Sequence, residues 1–225
     1  MQERISQAGS SCIRQRIVQA AIRLHRKIGF RKTTVADIAR GISMSPANVY
    51  RFFPSKQALE EAVVADLFEQ VSAAATLAAL LSGGSALERL TAALSAISQL
   101  HEHRLENDNK LHELVAAAVR ENWAVALSYA DRIRGLARTI IAGGQASGEL
   151  RPGSPMAMTC CLLEAMDGYL NPSRINAATV RPAFDEMMDF CAGALRHAPW
   201  GQSIDRAADL SPKSRGARIA SGVCG

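Results

Sequence analysis

Long hydrophobic runs are missing from this chain. Its longest weakly polar stretch, residues 71–81, has 11 residues and includes Ser72 and Thr76, whereas a helix that spans a bilayer needs roughly 20 apolar residues. The first residues, MQERIS, also lack the apolar core of a secretory signal peptide. We therefore predict no transmembrane helix, no membrane partner and a cytoplasmic location.

Cysteines are few and irregularly spaced. The five are Cys12, Cys160, Cys161, Cys191 and Cys224. An odd number without a CxxC pair excludes a disulfide framework and gives no zinc or redox motif. We interpret them as small buried apolar side chains in a reducing compartment.

Enzyme motifs are absent as well. The chain has no GxSxG, no HExxH and no glycine-rich phosphate loop. His101, His103 and His112 lack a neighbouring Cys or carboxylate at the spacing of a metal site. Glu164 and Asp167 lie close together on one helix, which is more typical of capping or solvated residues than of catalysis. The sequence thus predicts no enzyme, no metal and no cofactor.

Positive charge is abundant, but only in one part of the chain. Residues 1–60 contain 11 Lys and Arg against 3 Asp and Glu, whereas residues 61–225 contain 15 against 18. A basic segment attached to a near-neutral body is typical of a module that binds a polyanion such as DNA. A solvated basic surface without a partner is the alternative.

The rest of the pattern is helical. Apolar residues recur three and four positions apart, as Ile17, Ala21, Leu24 and Ile28 do, and no run alternates with a period of two. We predict an all-α fold with an N-terminal domain over residues 11–71 and a second domain over 72–197. The segment 198–225, rich in Gly, Ser and Asp, is predicted to be a disordered tail.

One stretch of the N-terminal domain has the pattern of two helices that cross over a short turn. Val35, Ile38 and Ile42 share a face of the first helix, and Val49 and Phe52 share a face of the second. The second helix then presents small or planar polar groups outward, as a helix in the DNA major groove requires. These outward residues are Ser45, Pro46, Ala47, Asn48, Tyr50 and Arg51.

Each outward side chain suits a particular contact with DNA. Asn48 can read an adenine edge, Arg51 a guanine edge, and Tyr50 can donate its hydroxyl to a phosphate. Backbone N–H groups near Thr34 and Lys56, at the starts of two helices, can bind phosphates.

These residues resemble the TetR family of transcriptional regulators. The resemblance covers residues 14–68 and includes Gly29-Phe30, the segment TTVADIA at residues 33–39, and VYRFFPSK at residues 49–56. It implies a three-helix helix-turn-helix DNA-binding domain, followed by a helical ligand-binding and dimerisation domain. In it, Thr34 and Lys56 would clamp phosphates and residues 45–51 would form the recognition helix.

One position departs from the family pattern. Ser43 stands in the turn where the family usually has glycine, so a positive φ there would cost energy. This predicts a slightly remodelled turn and a shifted docking angle of the recognition helix.

By the same resemblance, two late helices, residues 156–170 and 178–196, would pair with a second subunit across a two-fold axis. Their apolar stripes are Met158, Leu162, Leu163 and Met166 in one, and Phe184, Met187, Met188 and Cys191 in the other. The alternative is that these stripes complete the core of a single subunit. For an effector, the residues expected to line an apolar pocket with polar anchors are Leu94, Ile97, His101, His112, Val115, Trp123, Leu127, Ala130 and Arg134.

The sequence therefore predicts a ligand-responsive repressor. It would bind a palindromic DNA operator as a homodimer and leave it when a small-molecule effector binds. Two alternatives stay open: a metal- or thiol-sensing regulator on the same scaffold, and an all-helical enzyme.

Overall fold

Helices make up most of the chain that the computed structural model describes, namely residues 2–175 and 180–196, with side chains from residue 9 onward. In chain order the helices of these ranges are α1 (Gln2–Ile28), α2 (Val35–Arg40), α3 (Pro46–Tyr50), α4 (Lys56–Leu81), α5 (Ala86–Asn107), α6 (Asn109–Arg120), α7 (Ala124–Ala146), α8 (Pro155–Ala165), α9 (Asp167–Leu170) and α10 (Phe184–Leu195). The all-α prediction is confirmed. The predicted tail, residues 198–225, lies outside the described residues.

Local capping chemistry explains where the first helices start and stop. Thr34, Ser45 and Ser55 each accept a hydrogen bond from the backbone N–H three residues later, as N-caps do. Pro46 occupies the first position of α3, where its missing N–H costs nothing. Gly29 follows α1 with a φ of 86°, a left-handed conformation that ends a helix. The predicted helix starts near Thr34 and Lys56 are confirmed.

Other boundaries differ from the prediction. α1 begins at Gln2, well before the apolar stripe that starts at Ile17. Its first turns are polar, so periodicity could not detect them. α10 begins at Phe184 rather than near residue 178. Pro182 just precedes that start and disfavours the helical conformation of the residue before it.

The central helix of the fold is α4, which packs against α1, α5, α6 and α7. Leu59, Val63, Phe68 and Val71 of this helix are fully buried. By length and composition alone α4 passes as a membrane span, contrary to the prediction that no helix would. Of its most apolar window, 44% is buried inside the protein, and its fully buried side chains belong to the hydrophobic core.

The start of α5 is fixed by the end of α7. The Glu149 carboxylate accepts hydrogen bonds from the backbone N–H groups of Ala86 at 2.6 Å and Leu87 at 3.1 Å. Glu149 thus caps the start of α5, although it lies 63 and 62 residues further along the chain than these donors. Gly144 of α7 lies against the same point, and a Cβ on it would be 2.6 Å from the Ala86 Cβ. Only glycine permits this approach of the two helices.

The cysteines are less buried than expected. Cys191 is buried, but Cys12, Cys160 and Cys161 are exposed. The expectation of buried cysteines is therefore wrong for these three, and Cys224 lies outside the described residues.

Candidate nucleic-acid interface and ligand cavity

The helices α2 and α3 pack through the inner face that the sequence predicted. Val35, Ile38 and Val49 are buried, and Ile42 and Phe52 pack half-buried against the same core. The opposite face of α3 is left to solvent.

The turn between these helices bends at Ser43, whose φ is 55°. The N–H of Met44 closes the turn by donating to the carbonyl of Ala39 at 2.9 Å. A side chain in this left-handed region costs roughly 1–2 kcal/mol that glycine avoids. The positive φ on which the predicted steric cost depends is present at Ser43. The remodelling of the turn and the shifted docking angle stay predictions.

The solvent face of α3 carries the side chains assigned to DNA. Arg51, which follows the helix, and Asn48 are exposed, and Tyr50 is 48% exposed. The hydroxyl of Ser45 accepts the N–H of Asn48 at 3.2 Å, so it serves as a cap. The residues predicted to contact DNA from this face are all exposed, namely Ser45, Pro46, Ala47, Asn48, Tyr50 and Arg51.

The two expected phosphate clamps are already engaged within the protein. The Thr34 hydroxyl donates to Asp37 Oδ2 at 2.6 Å, and this hydrogen bonding lowers the pKa of Asp37. Lys56 Nζ donates to the carbonyl of Phe30 at 2.8 Å and lies 3.3 Å from Glu60 Oε1. An ammonium has three N–H donors, so Lys56 retains one for a phosphate. Thr34 must release Asp37 before its hydroxyl can donate.

A further positioning residue, Arg14, was missed by the sequence reasoning. Its guanidinium donates to the carbonyl of Phe52 and lies 4.3 Å from the centroid of the Phe53 ring. α1 is thereby attached to the end of α3. The donor and acceptor are 38 residues apart, so no local pattern signals the contact.

α1 is also attached to the junction between α5 and α6. Arg26 donates to both carboxylate oxygens of Asp108, at 2.6 and 2.8 Å. Lys110 Nζ donates to the carbonyl of Lys27 at 2.7 Å. His25 is buried in the same part of α1, and burial lowers its pKa to about 4.

A cavity of about 280 Å³, here named the helical cavity, lies among α5, α6, α7, α8 and α9. Its lining combines apolar side chains with a few polar ones, which is the usual composition of a small-molecule site. The lining residues are Ile97, Val119, Ala126, Tyr129, Ala130, Ile133, Arg134, Cys160, Leu163, Glu164, Asp167, Leu170, Asn171 and Pro172.

The structure brings only some of the predicted pocket residues together. Of the nine, Ile97, Ala130 and Arg134 line the helical cavity, and Leu94 and Val115 are buried in the core. His101 is fully buried behind its wall, with Nε2 3.3 Å from the hydroxyl of Tyr129, and burial lowers its pKa to about 3. His112 lines a different cleft.

The start of α7 accounts for the other two. Leu127 points outward and is 53% exposed, while the smaller Ala126 and Ala130 face the cavity. Trp123 is half-buried, and its Nε1 donates to Glu121 Oε2 at 3.0 Å. The expected grouping is thus corrected, and any contact of Arg134 with a ligand stays a prediction.

The apolar stripes expected at a subunit interface mostly lie inside one protomer. The buried members are Met158, Leu162, Met166, Met188 and Cys191, and the half-buried ones are Leu163, Phe184 and Met187. The alternative, that these stripes complete the core of a single subunit, therefore describes them better. The exposed apolar side chains on the same two helices are Met156 and Phe190, which are 42% and 74% exposed.

The described residues give little support to a metal sensor. Among them no group of three or more His, Cys, Asp or Glu is placed to hold a metal ion. The neighbouring thiols Cys160 and Cys161 are exposed, and Cys160 lines the helical cavity.

The fold and the exposed α3 define a class: a helix-turn-helix protein with a helical second domain that contains an open cavity. Residues 17–63 match the family model "Bacterial regulatory proteins, tetR family", and residues 86–189 match "Tetracyclin repressor-like, C-terminal domain". The chain belongs to the TetR family. It is a DNA-binding transcriptional regulator and not an enzyme.

Solved structures agree with this assignment. A protein of unknown function from Rhodococcus sp. RHA1 is 19% identical, with a TM-score of 0.63 over 81% of this chain and 95% of that one. A TetR/AcrR-family regulator from Thermobifida fusca is 25% identical, with a TM-score of 0.56 over 80% and 94%. RolR in complex with resorcinol is 17% identical, with a TM-score of 0.57 over 92% and 98%. No curated protein sequence matches significantly.

Proposed function

We propose that this regulator is a repressor that binds a palindromic operator as a homodimer and is released by a small-molecule effector. Residues 11–71 would form its DNA-binding domain and residues 72–197 its effector and dimerisation domain, acting in the cytoplasm. The observation that carries the proposal is the free face of α3. Asn48, Tyr50 and Arg51 project from it on a basic domain, while Val49 on the opposite face is buried.

Binding to the promoter next to its own gene tests the DNA contact. Arg51→Ala removes a bidentate base contact and should weaken specific binding by about 1–3 kcal/mol. Arg138→Ala is the matched control, because Arg138 is an exposed arginine on α7 in the second domain. Fluorescence anisotropy at several salt concentrations measures both. Equal discrimination between operator and random DNA in the two variants would refute the role of Arg51.

The homodimer would form through the exposed side chains of α8 and α10. Phe190 is 74% exposed, so its ring is accessible to a contact with a second subunit. Met156, 42% exposed, lies on α8, which packs against α10. A two-fold pair of recognition helices also reads two half-sites, which a single short helix reads poorly.

Sedimentation analysis tests this interface. Phe190→Glu places a charge in the proposed contact and should shift the protein from dimer to monomer. Leu80→Glu adds the same charge at a 66% exposed position on α4 and should leave the dimer intact. A Phe190→Glu protein that stays dimeric would place the interface elsewhere.

The effector would bind in the helical cavity and act on α4. Tyr129, in the cavity wall, stacks on Phe68 of α4 with ring centroids 4.0 Å apart and planes 6° apart. α4 begins at Lys56, directly after the recognition helix. A ligand that displaces Tyr129 therefore displaces α4, and the spacing of the two recognition helices in the dimer changes with it. The neighbour RolR, of the same fold, holds resorcinol.

Filling the cavity tests this part. Compounds that co-purify with the protein, identified by mass spectrometry, should lower its affinity for the operator. Ala130→Trp occupies the cavity, so it should abolish this response while operator binding persists. Ser128→Trp is the control, since Ser128 is exposed on α7 outside the lining. A full response in Ala130→Trp would refute the location.

A further inference from the structure

A second cleft lies between the DNA-binding domain and the C-terminal domain. It has a volume of about 610 Å³ and is bordered by the α1–α2 turn, by α6 and by the segment after α9. Arg31 comes from the turn, His112 and Arg120 come from α6, and Ser173 comes from that segment. The cleft is separate from the helical cavity, and of the residues described Pro172 is the one that lines both.

The charges around this interdomain cleft are mainly positive. Arg31 and Arg120 are exposed, and neither forms an ion pair with a residue that the structure describes. Arg104 is buried and close enough to His112 to lower its pKa. The one carboxylate in the lining, Glu113, makes no ion pair with either rim arginine. Two unpaired guanidinium groups at one opening focus a positive potential there.

The floor of the cleft contains an incompletely satisfied polar group. His112 is only 6% exposed, and its Nδ1 is buried with no hydrogen-bond partner among the described residues. Buried polar groups without partners are rare and call for a specific explanation. Burial and then Arg104 lower the pKa of His112, while the carbonyl of Pro172 opposes them. The contact with the Pro172 carbonyl engages the single N–H of the neutral ring, so the unpartnered Nδ1 is an acceptor and the donors available to an anion come from the arginines.

We propose that this cleft binds a small anion carrying a phosphate or carboxylate group, held by Arg31 and Arg120 above His112. A guanidinium presents paired N–H donors that match the oxygens of either group. Arg31 belongs to the DNA-binding domain and Arg120 to the second domain. An anion bound by both side chains therefore links the α1–α2 turn to α6.

Because of this link, the bound anion would regulate the affinity for DNA, an inference that rests on the proposed repressor function. If the anion fixes the DNA-binding domain relative to α6, it changes the affinity for DNA, and DNA changes the affinity for the anion by the same factor. Anion binding itself does not depend on this coupling, so the two are separately measurable.

The test uses the full-length protein without DNA in a low-salt chloride buffer. Inorganic phosphate and succinate are titrated separately by isothermal calorimetry, and protein labelled with 13C-histidine reports the ring of His112 by NMR. We expect saturable binding of at least one anion with a shift of the His112 signals. Arg31→Gln and Arg120→Gln should each weaken it by about tenfold.

Arg138→Gln removes an exposed arginine on α7 that is outside the cleft, and it should bind the anion as the wild type does. Equal affinities in Arg120→Gln and Arg138→Gln, or no saturable binding of either anion, would overturn the proposal. A phosphate could also come from the DNA backbone. If Arg120→Gln weakened binding of a random duplex while neither free anion bound, the cleft would serve DNA instead and the small-anion site would be rejected.

Discussion

Replacing Ser43 by glycine should stabilise this protein, because the turn between α2 and α3 holds a serine in a conformation suited to glycine. Its φ of 55° lies in the left-handed region, where a Cβ costs roughly 1–2 kcal/mol. The N–H of Met44 donates to Ala39 at 2.9 Å, so the turn stays closed whichever residue is present. Glycine removes the cost but adds about 0.5–1 kcal/mol of chain entropy to the unfolded state.

The difference between these terms predicts that Ser43→Gly stabilises the protein by about 0.5–1 kcal/mol. For a chain of this length that corresponds to a rise in Tm of roughly 1–4 °C. Urea denaturation at fixed protein concentration measures the change. Ser43→Ala is the first control, because it keeps the Cβ and should leave stability nearly unchanged.

A reverse control is available at Gly148. Its φ is 77° and a Cβ there would meet nothing within 4 Å, so Gly148→Ala changes only the backbone cost. It should destabilise the protein by about the amount that Ser43→Gly stabilises it. If Ser43→Gly lowered stability, or matched Ser43→Ala, the left-handed turn would not be the source of the strain.

Two further predictions concern the second domain. Gly144→Ala places a Cβ 2.6 Å from that of Ala86 and should destabilise the protein by about 1–3 kcal/mol. In the control Gly143→Ala, the new Cβ meets nothing within 4 Å, so this variant should stabilise the protein by about 0.5–1 kcal/mol. Similar urea midpoints for the two variants would contradict the close approach of α5 and α7. The folded pKa of His101 is lowered from 6.5 to about 3 by burial, so between these pH values the unfolded chain binds a proton that the folded one does not. The free energy of unfolding should therefore fall with decreasing pH across this window, and His101 should contribute up to about 1.4 kcal/mol per pH unit to that fall. In His101→Gln the free energy of unfolding should fall less steeply. Parallel pH profiles of the wild type and this variant would argue against a neutral buried imidazole.

The helix-turn-helix was predictable because its determinants are local. Val35, Ile38 and Val49 follow helical spacing, and each cap acts on an N–H three residues away. The contacts that attach these helices to the rest of the fold were not predictable. Arg14 reaches Phe52 across 38 residues, and a surface arginine carries no sign of its acceptor.

Part of the cavity lining escaped prediction for a different physical reason. Ile97, Ala130 and Arg134 were expected there, but apolar periodicity finds large side chains that fill space, and it therefore favoured Leu127 over Ala126 on α7. Small side chains such as Ala126 leave room for a cavity, and Ala126 lines it. Likewise the stripe that contains Met158 and Leu162 was correctly predicted to be apolar, but its burial inside one protomer depends on how α8 packs against α7 and α10.

The contacts between the two domains differ in strength, and this difference favours a movement of the DNA-binding domain relative to the second domain. The Arg26–Asp108 pair is geometrically good, yet its side chains are 55% and 22% exposed, so such a pair contributes about 1 kcal/mol or less. Phe68 and Tyr129, by contrast, are stacked and buried, and an aromatic pair adds about 0.5–1.5 kcal/mol beyond the burial of its area. In the proposed mechanism, a ligand that moves Tyr129 would therefore carry α4 with it through the stronger contact. The exposed ion pair would break and re-form at little cost, so the DNA-binding domain could change its position without unfolding.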